Sequence, residues 1–139
     1  MTTAKIELEF AYRRKDLRQA IRQARKGRGW SYAEVARQSG VDLRVVLHLF
    51  QGAANTEIRN VEAIMRALAV KLYYRGFASD DCLAVLLHTS KTREMPWSKA
   101  IRLAGLDRRF GSQLKHQKAG ARLYTVQPLM KALGVQAVF

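Results

Sequence analysis

Hydrophobic positions along this chain change period several times, and the changes mark out its elements. From Lys5 to Tyr12, Ile6, Leu8, Phe10 and Tyr12 alternate with Glu7, Glu9 and Ala11, the period of two that a half-buried strand shows. From Leu17 the period lengthens to that of a helix: Leu17, Ala20, Ile21 and Ala24 share a stripe that ends at Gly27 and Gly29. A second helix runs from Tyr32 to Gln38 between Ser31, placed to cap it, and a Ser39-Gly40 stop; Glu34, three residues after Ser31, predicts a reciprocal capping box. A third turns Val45, Val46, Leu49 and Phe50 toward a core between Asp42 and Gly52, and a fourth carries Val61, Ile64, Met65 and Leu68. Gly40 predicts a sharp turn between the second and third helices, because left-handed backbone costs glycine least.

The same order returns 65 residues later. That shift places Asp16 on Asp81, Arg37 on Arg102, Gly40 on Gly105, Asp42 on Asp107, Arg44 on Arg109 and Leu49 on Leu114, and continues without a gap to Val70 on Val135. The fourteen identities over residues 16–70 exceed the roughly three or four that amino-acid frequencies supply, so the chain contains an internal duplication. In the second copy Val70 to Phe77 reads as a strand, and Ser79 caps a helix bearing Cys82, Val85, Leu86 and Thr89, with Asp80 and Asp81 favourable at its positive end. Pro96 takes the next cap position, which suits a first helical turn. Ile101 stands where the first copy has Ala36, and Gly111 where it has Val46, which makes Phe110 the candidate for that core place through a slip of one residue. A short apolar piece, Val135 to Phe139, ends the chain. The expected units are residues 1–69 and 70–139, each a strand followed by helices. A unit that small buries only about 60% of its surface, so the two are expected to share a core.

Ser31 to Gly52 resembles the helix-turn-helix of the lambda-repressor and Cro-like family, on Ser31, the small Ala36, Gly40-Val41 in the turn and the ending Leu49-Phe50-Gln51-Gly52. The following Asn60 to Val70 looks like that family's next helix, and the repeat carries the likeness onto residues 80–135. The resemblance implies a mainly α fold of two tandem lambda-repressor-like units with short β-strands at the unit boundaries. It also implies a sequence-specific DNA-binding transcriptional regulator, a repressor of bacterial, phage or mobile-element genes. The family carries a DNA-touching glutamine after the opening serine, where this chain has Tyr32 and, in the second copy, Trp97.

Charge agrees with a polyanionic partner. The net charge is +14, with 13 basic and 7 acidic residues in 1–69 and 12 and 4 in 70–139, so both copies are basic. A recognition helix reads double-stranded DNA with the side chains that face away from its core. In the first unit those are Arg44, Leu47, His48 and Gln51, beside Leu43; in the second, Arg108, Arg109, Ser112, Gln113, His116 and Lys118. The preceding helices add Ser31, Tyr32 and Trp97. Arginine forks fit guanine, although the same residues also describe an ordinary solvated basic face. Two leucines are unusual in a reader and leave open an antitoxin-like or anti-activator protein that holds a protein partner. The N-terminal strand offers an edge for a homodimer.

Other chemistry is thin. The single cysteine, Cys82, excludes an internal disulfide, fits a reducing compartment and reads as a small core residue. His48, His88 and His116 lack partners at ligand spacing, Gly27-Arg28-Gly29 lacks the strand-then-helix frame of a phosphate loop, and no nucleophile sits beside a base. The expectation is a non-enzyme without metal or cofactor, with no membrane contact or leader, in the cytoplasm beside the nucleoid.

Overall fold

Asp16 opens the first helix by accepting the Gln19 amide at 2.8 Å, in the computed structural model, which describes residues 16–116 and 120–139. The strand expected over residues 5–12, the homodimer edge it would provide and the candidate contact Lys118 lie outside the described residues. Four helices follow in order: α1 (Leu17–Arg28), α2 (Tyr32–Ser39), α3 (Leu43–Phe50) and α4 (Ile58–Leu68). A hairpin of β1 (Lys71–Tyr74) and β2 (Phe77–Ser79) leads into four more, α5 (Cys82–Thr92), α6 (Trp97–Leu103), α7 (Arg108–Leu114) and α8 (Leu123–Leu133), and β3 (Gln136–Val138) ends the described fold. It is mainly helical, with a three-stranded antiparallel sheet of order β2-β1-β3.

Two local expectations need correction. The apolar run from Val70 to Phe77 is a hairpin rather than one strand: Arg75 and Gly76 take φ of +41° and +88°, the paired positive φ of a type I′ loop, and Tyr74 pairs with Phe77 across it. The cap of α5 is Asp81, which accepts the Ala84 amide at 3.1 Å, while the Ser79 hydroxyl accepts the Asp81 amide at 3.0 Å. Ser79 thus shapes the approach and Asp81 satisfies the first turn, whose amides have no partner within the helix.

The halves share one apolar core. Leu17, Ile21, Ile58 and Leu68 from the first meet Leu86, Leu123, Leu129 and Leu133 from the second in a single buried cluster. Cys82 is buried there with its sulfur 3.6 Å from that of Met65, and its amide donates to the buried Glu62 carboxylate at 2.8 Å, which ties α4 of one half to α5 of the other. The sheet joins the same ends: Leu72 pairs with Ala137, flanked by Lys71 with Val138 and Tyr73 with Gln136. A lone antiparallel bridge, Glu57 with Arg122, does so again before α4 and α8.

Helix order in the second half follows the first, register included. Gly40 and Gly105 have φ of +73° and +74°, and Asp42 and Asp107 accept the amides of Arg44 and Arg109 at 2.8 Å each. Phe110 stays half-buried and no slip occurs. The reason is an exchange of bulk: Ile101 fills the space over Gly111, where a Cβ would stand 2.5 Å from two Ile101 carbons, whereas the first half sets the small Ala36 opposite the buried Val46.

This exchange predicts strong coupling. Gly111→Val alone should lower stability by about 1–3 kcal/mol through overpacking, and Ile101→Ala alone by about 2–5 kcal/mol through the cavity. The double variant, which restores the first half's arrangement, should be more stable than the sum of the two losses allows, as chemical denaturation of all four proteins will measure.

Candidate nucleic-acid interface

Helices α2 and α3 are built around three buried valines, Val35, Val41 and Val46, and their packing decides which side chains remain outside. The Ser31 hydroxyl accepts the Glu34 amide at 3.1 Å, as the sequence pattern predicts. The return half of the capping box is absent from the geometry: the Glu34 carboxylate instead accepts from Arg37 Nε and Gln38 Nε2, at 2.9 Å each. Those hydrogen bonds, from Arg37 first, hold the Glu34 carboxyl down at about 2 against an ordinary 4.5, and raise the Arg37 guanidinium. At the turn, the Ser39 hydroxyl donates to the Val35 carbonyl at 2.6 Å and accepts the Val41 amide at 3.3 Å.

With Val46, Leu49 and Phe50 inward, α3 leaves Arg44 and His48 exposed, with Gln51 exposed just beyond its end and Leu47 half-buried. Leu43, at its first turn, is 43% exposed, a large apolar side chain facing out of the same helix. Ser31 and Tyr32 are exposed at the start of α2. Tyr32 is pinned on one side: its ring lies 5.2 Å from that of Phe50, and the Arg25 guanidinium sits 4.5 Å from its centroid.

Arg22 and Arg25, which the sequence reading passed over, position this pair of helices. Arg22 donates to the Phe50 carbonyl at 3.0 Å and so caps the end of α3, while Arg25 donates to the Trp30 carbonyl at 2.8 Å just before α2. Their spacing of three along α1, beside an apolar stripe, was the available signal.

The second half presents a different surface on the same frame. Arg108, Arg109, Ser112 and Gln113 of α7 are exposed, and so is His116 beyond it. Trp97, expected among the outer contacts, is turned inward: it is 7% exposed and its indole N–H donates to the Gly111 carbonyl at 2.8 Å. Its size and its donor are both taken up by α7, which leaves it no outer face. Near α6 the Ser90 hydroxyl donates to the Met95 carbonyl, the position whose first-half counterpart, Trp30, is held by Arg25.

Electrostatics separate the halves further. A cavity of about 460 Å³ between α6 and the start of α7 is lined by Ser98, Lys99, Arg102 and Arg108 among others. Lys99 stands where the first half has Glu34, and Arg108 where it has Leu43. Arg102, the counterpart of Arg37, therefore faces a cation's position rather than a carboxylate's, and the group as a whole suits an anion such as a phosphate. Lys99 and Arg102 carry no motif, so only the folded arrangement brings them to notice. Among the described residues no group of three or more His, Cys, Asp or Glu is placed to hold a metal ion, and no helix is long and apolar enough to cross a membrane.

Comparison with known proteins meets the same region. The family model described as helix-turn-helix matches residues 21–75, from within α1 to the β-hairpin. A protein of Neisseria meningitidis serogroup B, called a Neisseria hypothetical transcription factor, is 31% identical over 81 residues, which cover 58% of this chain and 76% of the relative. No solved structure matches.

The Glu34 carboxyl should titrate by NMR with a midpoint near 2, moving back toward 4.5 in Arg37→Ala. Because its folded value lies below the ordinary one, its contribution to stability is present above pH 4.5 and is lost as pH falls toward 2. A midpoint near 4.5 in the unaltered protein would show that the Arg37 and Gln38 contacts do not persist in solution.

Proposed function

We propose that this chain, which belongs to the helix-turn-helix family, is a DNA-binding transcription regulator that represses by occupying promoter DNA. It would do so through two helix-turn-helix units, residues 1–69 and 70–139. The observation that carries the reading is the outer face of α7 with the adjoining cavity: Arg108 and Arg109 at the helix start, Lys99 and Arg102 beside them, on a chain of net charge +14. Duplex DNA needs two kinds of contact, charge against phosphates for position and forked donors against base edges for sequence. Lys99, Arg102 and Arg108 suit the first role. Arg109, Ser112 and Gln113 of α7, with His116 just past it, suit the second, and Arg44, His48 and Gln51 supply it in the first unit, with Ser31 and Tyr32 at its rim. No covalent step is required, since a bound protein excludes polymerase by occupancy.

A second reading has its own observation. Leu43 is exposed and Leu47 half-buried on α3, an apolar patch that suits a protein surface better than a base edge. An antitoxin-like or anti-activator protein would use that face for its partner and α7 for DNA.

Gel shifts of genomic fragments recovered with the protein test both readings. Log affinity should fall linearly with log salt, with a slope of about −0.9 for each phosphate neutralised. Arg109→Ala should cost about 1–3 kcal/mol on the recovered site and much less on random duplex, whereas Lys99→Ala should weaken both and reduce the slope by about one. Equal losses from Arg109→Ala on both duplexes would make it a phosphate anchor. Unchanged DNA binding in Leu43→Ser/Leu47→Ser, with loss of a co-purifying protein, would favour the second reading.

A further inference from the structure

The central pair of the β1–β3 ladder is separated by the repeat offset of 65 residues. Leu72 pairs with Ala137, and those two residues are counterparts in the 65-residue repeat. The flanking pairs, Lys71 with Val138 and Tyr73 with Gln136, exchange with each other when every residue is replaced by its counterpart. The bridge of Glu57 with Arg122 is again a pair of counterparts. Its hydrogen bonds obey the same exchange: the Ile58 amide donates to the Ala121 carbonyl at 2.9 Å, and the Leu123 amide to the Thr56 carbonyl at 3.0 Å. Antiparallel pairing of a residue with its own counterpart is what a two-fold rotation produces; a translational repeat would set counterparts side by side in parallel. The midpoints of both pairs lie on one axis, so the two halves are related as the subunits of a symmetric dimer are. The helices obey the rotation too, since α1 lies against β3 as α5 lies against β1, and α4 packs on its counterpart α8.

A two-fold rotation preserves the component of every direction along its axis. The components of the outer faces of α3 and α7 along the axis therefore point to the same side of the molecule, and their components across it are reversed. Duplex DNA has two-fold axes perpendicular to its length, so a ligand matched to this arrangement carries its half-sites head to head. The side chains offered to the halves are not the same. Arg44 and Arg109 are counterparts at the second position of their helices, fixed by the same aspartate cap at 2.8 Å. Around them Leu43 faces Arg108, Leu47 faces Ser112, His48 faces Gln113 and Gln51 faces His116 as counterparts.

We infer that a single chain binds one duplex through two half-sites in inverted orientation, with a guanine at the same place in each and different bases around it. The inference rests on the DNA-binding reading above and adds orientation, stoichiometry and asymmetry to it. An arginine fork at one helix position reads guanine in both halves, while the unlike neighbours make the full site an imperfect palindrome. One chain suffices because the rigid joint supplies the second contact at high effective concentration.

The test is selection by the full chain from duplexes whose randomised core exceeds two helical turns, followed by native mass spectrometry of the selected complex. The expected pool holds two inverted, non-identical half-sites that share a guanine at equal distance from the centre, bound by one chain. Arg109→Ala should lose the guanine preference in one half only and Arg44→Ala in the other, each by about tenfold to a hundredfold against the selected site. Half-sites in the same orientation, one half-site alone, or two chains on a symmetric palindrome would overturn the inference while leaving DNA binding intact. A pool without enrichment would remove the DNA-binding reading and this inference together.

Discussion

Backbone hydrogen bonds between Lys71–Tyr73 and Gln136–Val138 tie the strand that follows α4 to the strand that follows α8. Each of these strands follows directly on a long core helix, α4 or α8, so the pairing also fixes how those helices meet. A segment of about 65 residues buries only about 60% of its surface alone, and the pairing lets the two halves pool Leu68, Leu72, Leu133 and Ala137 in one core. Backbone pairing defines orientation more sharply than apolar contact does, because a register shift of one residue would turn Leu72 and Ala137 out of the core. The placement of α3 and α7 thus depends on a few hydrogen bonds far along the chain from either helix.

The two halves keep a common frame and present unlike surfaces. Both halves keep an aspartate cap before the outer helix and a left-handed glycine in the turn, since these positions answer to backbone geometry. Supports from α1 and α5 do the same task with different groups, Arg25 in one half and Ser90 in the other. Outer positions have no such constraint. One face has acquired leucines and a carboxylate that occupies Arg37, while the other has gathered Lys99, Arg102, Arg108 and Arg109.

Much of this was legible in the sequence because periodicity, caps and turn glycines are local signals. The helices from Leu17 to Leu68, the turns at Gly40 and Gly105 and the sharing of a core all follow from them. What escaped depends on partners distant in sequence. Trp97 read as an outer residue by analogy with Tyr32, and only the space beside Gly111 and the carbonyl there draw it inward. Ile101 and Gly111 looked like separate departures from the pattern and are one compensated change. The hairpin in 70–79 was hidden because Arg75 at positive φ is an uncommon choice, with Gly76 as its sole marker. Orientation of the repeats had no local sign, because it rests on the antiparallel pairing of Leu72 with Ala137, 65 residues away.

The steric partnership of α6 with α7 also limits how the outer surface could be re-engineered by grafting. Moved alone from the first half into the second, α3 would bring a valine against Ile101, and moving only α2 would leave an alanine over glycine with nothing between. The transplantable cassette is the helix pair with its turn, so a new outer surface is introduced either as that whole block or by changing outward side chains one at a time.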